Sequence, residues 1–193
     1  MYKTIRQILS LTVVGSFLLL SGCSQSDGSS SSSVDKKLST VKKTGVIQSY
    51  TTFDDGDYQA GLEQSYTRDD SLEVVVDNAT GLMWQDDGNN LNQEVTFIEA
   101  STYCNDITIG SYTDWRAPTI DELLLLGDRD YFGPTVDISV FINVANYVYY
   151  WSSSEMSLRT GQAWAVYSEA WTDHYRDISL SNTYHALCVR NTI

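Results

Sequence analysis

The sequence has little proline, only two histidines and, over most of its length, no lysine. Two Pro and 12 Gly among 193 residues exclude a collagen-like chain and a proline-rich chain. With 42% hydrophobic and 12% aromatic residues, the chain is too apolar to be disordered throughout. The 12 Lys+Arg face 25 Asp+Glu. This balance excludes a simple binder of the nucleic-acid backbone, because such a protein needs a basic face.

The charge is distributed unevenly along the chain. No Lys occurs after Lys43, and residues 46–193 contain six Arg against 23 Asp or Glu, a net charge of −17. Because the guanidinium group suits fixed bidentate pairs, we expect much of this Arg to lie in internal ion pairs. The surface of 46–193 would then be acidic, which favours cations or basic partners over polyanions.

Residues 1–22 are interpreted as a lipoprotein signal peptide. Lys3 and Arg6 precede an apolar run over 8–20, which at 13 residues is shorter than the roughly 20 that span a bilayer. The run ends in a Leu-Ser-Gly-Cys sequence that resembles a bacterial lipobox, so Cys23 is predicted to carry the lipid anchor. Two or more acyl chains hold a protein firmly on a membrane. An ordinary secretory signal with a chance cysteine is the alternative.

Residues 23–45 are predicted to form a flexible tether. Five consecutive Ser residues at 29–33 cannot bury apolar surface, and two Lys pairs, at 36–37 and 42–43, are expected to be solvated. Ser24 follows the anchor where Asp would be the inner-membrane signal. By resemblance to enteric lipoproteins, this favours the outer membrane.

Two further cysteines, Cys104 and Cys188, remain in the exported segment. An even pair in an oxidising compartment indicates a disulfide. It would close a loop of about 84 residues, for which chain entropy suggests about 4–5 kcal/mol of stabilisation. Free buried thiols and a catalytic cysteine are the alternatives.

The segment 46–193 is long enough for one core and shows mixed periodicity. Strands are predicted at 46–50, 72–77, 82–84, 149–153, 163–167 and 185–190, with a turn at 78–81 that makes a hairpin. A helix is predicted over about 93–107, with Cys104 on its buried face, because apolar residues recur at helical spacing. Thr119 and Glu122 form the capping-box pattern of a second helix. Strands that flank two helices without βαβ alternation indicate an α+β fold.

Five motifs in order resemble the Lcl C-terminal domain family, which is named for the end of a collagen-like adhesin of Legionella. They lie at 76–85, 103–104, 110–123, 150–154 and 186–190. The resemblance implies a C-type-lectin-like fold with two helices and a mixed, mostly antiparallel sheet. It also implies a disulfide from the first helix to the last strand, the places of Cys104 and Cys188. This chain departs from the pattern at Ala117, where the family often has Leu, and no collagen-like repeats precede the domain.

The resemblance implies an adhesin-type binding role, but not the same ligand. The named adhesin resembles a binder of sulfated polysaccharide, whereas a domain of charge −17 repels polyanions at long range. Relatives of this kind also imply that a trimer is one option for the oligomeric state.

An aromatic and polar loop is the predicted ligand-binding candidate. Flat rings beside hydrogen-bonding groups suit a glycan or a protein hot spot, and a self-packed loop is the alternative. Its candidate residues are Trp171, Asp173, His174, Tyr175 and Arg176. By contrast, Trp115 is expected in the core, with Arg116 and Arg190 paired to carboxylates or carbonyls.

Two acidic clusters are weak calcium candidates. They are Asp54, Asp55 and Asp57 in one turn, and Asp128 and Asp130 in another. Neither continues as an EF-hand loop, so solvated turns are the default and no cofactor is predicted. The two histidines lack the spacing of a zinc site.

These observations favour a lipid-anchored, non-catalytic binding module at the bacterial envelope, with a glycan or an envelope or host protein as ligand. A structural envelope protein with only protein neighbours is one alternative. An enzyme is the other, because sulfatase-modifying and formylglycine-generating proteins carry motifs similar to Trp-Arg-x-Pro-Thr. Those that oxidise cysteine need a reactive cysteine pair, and no Ser-His-Asp grouping is legible.

Overall fold

The computed structural model describes residues 42–128, 136–170 and 175–192, and for 170 and 175–177 the backbone alone. Three α-helices occur in these ranges: α1 Asp55–Tyr58, α2 Phe97–Asp106 and α3 Ile120–Leu124. The nine strands of the same ranges are β1 Tyr66–Asp69, β2 Val74–Asp77, β3 Leu82–Gln85, β4 Glu94–Val95, β5 Tyr149–Glu155, β6 Gln162–Tyr167, β7 Tyr175–Ser179, β8 Tyr184–His185 and β9 Val189–Asn191. Within the described ranges, no helix has the length and apolar character needed to cross a bilayer.

The first sheet has the order β1-β2-β3-β9, and each neighbouring pair is antiparallel. Its centre is the predicted hairpin of β2 and β3. Gly81 closes the turn with a φ of +72°, a left-handed conformation that suits glycine. Val74 and Val75 are both fully buried although they point to opposite faces, so the sheet is covered on both sides.

The second sheet has the order β4-β8-β5-β6-β7. Its pairs are antiparallel except where β8 meets β5 in parallel at His185 and Tyr150. Few helices beside mostly antiparallel sheets make this an α+β fold, which confirms the predicted class. The predicted disulfide between Cys104 and Cys188 is also confirmed.

The main core lies where both sheets meet helix α3. Trp84 of the first sheet and Tyr150 of the second are buried in the same cluster as Leu123 of α3. Helix α2 covers two smaller clusters. Phe97 packs with Trp151 of the second sheet, and Cys104 packs with the outer face of the first sheet.

Both longer helices begin at a capping box. Thr119 accepts the Glu122 N–H, and the Glu122 carboxylate accepts the Thr119 N–H, as predicted. Thr96 and Glu99 form the same reciprocal pair at the start of α2. This second box makes α2 shorter than the predicted helix over 93–107, because residues 94–95 pair instead with β8.

Two predicted strands differ in the structure. Residues 46–50 belong to none of the strands in the described ranges, and 47–50 are exposed. The predicted strand over 185–190 is divided between β8 and β9, which lie in different sheets. Between them Ala186 N–H donates to Gln93 O, and Cys188 O accepts the Gln85 N–H. The alternation of side chains along 185–190 does not indicate this crossing between the sheets, because every residue from 185 to 190 is buried.

Lys42, in the stretch predicted as tether, is held inside the described fold. Its Nζ lies 3.0 Å from Asp77 Oδ2, and the two side chains are 1% and 2% exposed. The same ammonium donates to Tyr66 Oη and to Leu125 O. Burial lowers the pKa of Lys42, while the negative charge of Asp77 opposes that shift. The lysine therefore joins the first sheet to the end of α3.

Candidate functional site

Most of the predicted aromatic loop lies outside the described residues. Trp171, Asp173 and His174 fall in the range 171–174, which the structure does not describe. The backbone of Tyr175 and Arg176 belongs to β7, where these residues pair with Val166 and Ala165. The loop therefore stays a prediction, and the site built below rests on other residues.

The first acidic cluster caps a helix. Asp54 is the N-cap of α1, and its carboxylate accepts backbone N–H groups of Tyr50, Thr51 and Asp57. These bonds lower the pKa of Asp54 to about 2. Asp57 accepts the Phe53 N–H, and Asp55 accepts the Thr44 hydroxyl. The structure thus gives each of these carboxylates a hydrogen-bonding role.

The second acidic cluster is only partly described, since Asp130 lies outside the described ranges. Asp128 lies beside Gly45, where an added Cβ would come within 1.8 Å of its Oδ1. Within the ranges that the structure describes, no three His, Cys, Asp or Glu side chains are grouped so that they could hold a metal ion.

The Trp-Arg motif has a structural role. Trp115 is 2% exposed, and Arg116 forms a bidentate pair with Glu122, the capping residue of α3. Arg190 pairs with Asp114, whose side chain is 61% exposed, and its guanidinium lies 4.0 Å from the centre of the Tyr112 ring. Arg116 and Arg190 are thus paired to carboxylates, as expected. The Arg190 partner is a surface carboxylate.

Cys104 and Cys188 are both fully buried and bonded to each other. The bond ties the last turn of α2 to the segment that enters β9. Cys23, the predicted lipid anchor, lies outside the described residues.

A cleft of about 380 Å³ lies between the end of α2 and the segment that joins β3 to β4. We call it the amide cleft, because carboxamide side chains are its commonest lining. Its lining residues are Asp87, Asn89, Asn92, Gln93, Tyr103, Ile107, Thr108 and Ile109. Its volume lies in the lower part of the roughly 300–1,000 Å³ typical of ligand pockets.

Gln85 lies outside the lining of the amide cleft and holds two of its side chains. This residue ends β3 and is fully buried. Its Nε2 donates to Asp87 Oδ1 at 2.9 Å and to Tyr103 Oη at 2.7 Å, so it fixes two of the lining side chains. Its Oε1 is buried and has no hydrogen-bond partner in the protein. Such a group is costly to bury, and in native proteins it calls for an explanation.

The two groups that Gln85 holds have complementary roles. Tyr103 Oη accepts from Gln85, so its own proton remains available for donation. Burial raises the pKa of Tyr103, and the nearby Asp87 charge adds to this, so the hydroxyl stays a donor at neutral pH. Asp87 also accepts from the Asn89 backbone N–H and from Asn89 Nδ2. The carboxylate is thus largely occupied by donors of its own segment.

Three further lining side chains have no hydrogen-bond partner among the described residues: Asn92, Gln93 and Thr108. Asn92 and Thr108 are exposed, and Gln93 is partly so. The lining contains no Lys, Arg, His or Cys. The cleft therefore offers neutral donors and acceptors, one carboxylate and an apolar side formed by Ile107 and Ile109. This set suits binding by hydrogen bonds.

The sequence analysis above does not predict this cleft. Gln85 was visible as a polar residue that ends the buried run of β3, and the adjoining Asp-Asp-Gly-Asn-Asn stretch at 86–90 is rich in turn formers. Only tertiary packing brings α2 to this stretch, because Tyr103 is 18 residues from Gln85 in the sequence.

The comparisons with known proteins agree with the motifs. Residues 73–190 match the sequence model of the Lcl C-terminal domain, which covers more than half of the chain and all the lining of the amide cleft. This match supports an adhesin-like domain. A search of the curated proteins finds no match.

Proposed function

We propose that this chain, which belongs to the Lcl C-terminal domain family, is a lipid-anchored envelope protein that presents a non-catalytic binding domain. Adhesion or ligand recognition is its activity. The family match is the observation that carries this proposal, since it supports an adhesin-like domain over residues 73–190. A C-type-lectin-like arrangement of the domain belongs to the same proposal.

The anchor and the location are proposed from the sequence. The basic start, the short apolar run and the lipobox-like end at Cys23 support lipidation, and Ser24 supports the outer membrane. Lys42 is held in the described fold by Asp77, so the tether proposed from the sequence ends before this residue.

A non-catalytic role is supported by the state of the cysteines. The enzyme alternative needs a reactive cysteine pair, and Cys104 and Cys188 are consumed in a buried disulfide. Titration of free thiols in the exported protein checks this point. We expect no reactive thiol from either residue, whereas a thiol that reacts without denaturant would favour the enzyme.

A binding screen tests the proposed activity. The full-length protein, purified in a sugar-free detergent, is applied to immobilised glycans and envelope proteins, with and without a calcium chelator. We expect specific retention of at least one ligand, and no change when the chelator is added. If the full-length protein retains nothing, and cells with and without it attach equally to surfaces, the proposal of an adhesin-like activity is wrong.

A further inference from the structure

We propose that the amide cleft binds an uncharged, polyhydroxylated ligand such as a neutral sugar unit, without a metal ion. This inference rests on the proposed function and names the ligand class that a binding domain of this kind would take. It concerns the cleft between α2 and the β3–β4 segment, and it is independent of the aromatic loop predicted from the sequence.

The hydrogen-bonding groups of the cleft match hydroxyl chemistry. A hydroxyl donates and accepts at once, and a carboxamide offers two donors and an acceptor. Asn92, Gln93 and Thr108 have no described hydrogen-bond partner, so each can bond a ligand hydroxyl without first breaking an internal bond. The Tyr103 hydroxyl adds a donor, and it is oriented by the hydrogen bond that it accepts from Gln85.

The amide of Gln85 fixes two of the lining groups. Gln85 is fully buried, and its Oε1 belongs to the amide whose nitrogen contacts both Asp87 and Tyr103 of the lining. Reversal of this amide would set its oxygen against the Asp87 carboxylate, so the hydrogen bonds fix its orientation. The Tyr103 hydroxyl and the Asp87 carboxylate are therefore held in position before a ligand binds.

The charges of the lining make charged small ligands less favourable than neutral ones. An anionic or sulfated sugar would approach Asp87 with no cation in the lining to offset the repulsion. A cationic ligand would find a single carboxylate, Asp87, which already accepts three of its roughly four hydrogen bonds. A sugar ring bears a hydroxyl on most of its carbons and an apolar face, which Ile107 and Ile109 can contact. An extended peptide offers one donor and one acceptor per residue, so it matches this dense lining less well.

The test uses the full-length protein in a sugar-free detergent and ligand-observed NMR. The probes are the methyl α-glycosides of glucose, galactose, mannose and N-acetylglucosamine, with glucose 6-sulfate and N-acetyl-trialanine amide as charged and peptide comparisons. We expect at least one neutral glycoside to bind, with the same Kd in the presence of a chelator, and the sulfated sugar to bind at least tenfold more weakly.

Variants assign the binding to the cleft. Tyr103→Phe removes one donor and keeps the ring, and should raise Kd about fivefold, while Asn92→Ala with Gln93→Ala should raise it about 25-fold. Tyr58→Phe and Asn182→Ala change exposed residues of the same types outside the cleft, and should leave Kd unchanged. Gln85→Leu is a further variant, which removes the amide that bonds Asp87 and Tyr103. It is used only if its backbone amide NMR spectrum shows the native fold.

Each other result overturns a stated part of the inference. If a glycoside binds with unchanged Kd in all cleft variants, the cleft is not its site. If the peptide or the sulfated sugar binds and the variants weaken it, the ligand class is wrong although the site is right. If none of these probes binds while the screen above retains a ligand, the neutral-sugar inference fails and the proposed binding function stands.

Discussion

Adjacent lysines have opposite environments in this protein. Lys42 is buried against Asp77, whereas Lys43 pairs with Glu63, whose side chain is 78% exposed. A sequence of two consecutive Lys residues in a polar segment predicts solvated side chains for both. The difference arises because the backbone of Lys43 bonds to Leu62, which turns the Lys42 side chain towards the first sheet.

Removal of the buried lysine should therefore cost far more than removal of its neighbour. Lys42→Ala leaves the Asp77 charge buried without its partner, and we expect the free energy of unfolding to fall by about 3–5 kcal/mol. Lys43→Ala is the matched control, with a change below about 1 kcal/mol. Urea denaturation of both variants measures the difference. Equal losses would show that Lys42 is not buried in an ion pair.

The carboxylate of Asp54 gives the protein a local dependence on acid. Its pKa is lowered to about 2 by backbone N–H donors, so its contribution to α1 is complete above the ordinary Asp pKa near 4. That contribution is lost as the pH falls from about 4 to about 2. We expect carboxyl NMR to give a midpoint near 2 and the α1 amide signals to change with it.

The control for this titration is Asp54→Asn. Asparagine caps helices well and does not titrate, so the change in the α1 signals with a midpoint near 2 should be absent from this variant. A midpoint near 4 in the wild-type protein would contradict the cap geometry.

At the scale of helices and strands, features that depend on a few neighbouring residues are predictable from the sequence. Thr119 and Glu122 predicted the start of α3, and the turn at 78–81 predicted the β2–β3 hairpin. The Thr96 box has the same spacing and marks the start of α2 just as clearly, although the predicted helix began earlier. The crossing from β8 to β9 was missed because it depends on two sheets formed by distant residues. The amide cleft was missed for the same reason.

The disulfide joins α2 to this crossing, so its removal should affect the whole domain. Its loop spans 84 residues, for which chain entropy gives about 4–5 kcal/mol. Cys104→Ser should lower the free energy of unfolding by that order, and Cys188→Ser in the same chain should add little. Thermal or urea unfolding under oxidising conditions measures both. Additive losses would mean that the two residues stabilise the fold separately.

At the scale of the whole molecule, the negative charge is concentrated in residues 46–193. Residues 46–193 carry −17, and the ion pairs described in this segment join Arg68 to Asp70 and Asp86, Arg116 to Glu122, and Arg190 to Asp114. Such a surface repels sulfated polymers at low salt. A neutral ligand avoids this repulsion, which agrees with the composition of the amide cleft.

Attachment to the membrane is predicted to depend on one thiol. Cys23→Ala should move the protein from the membrane fraction to the soluble envelope fraction, because the apolar run alone is too short to span a bilayer. Fractionation and mass spectrometry of the N-terminal peptide measure this change. Cys104→Ser is the matched cysteine control and should leave the protein on the membrane. Retention of the Cys23→Ala protein would contradict lipid anchoring.

The segment from Tyr184 to Asn191 also determines when the fold can be completed. It supplies β8 between β4 and β5, β9 beside β3, and one half of the disulfide. Each of these contacts needs residues that follow all the other strands in the sequence, so neither sheet is complete before this segment is made. The complete fold therefore forms late in synthesis, after the segment Tyr184 to Asn191 has been made.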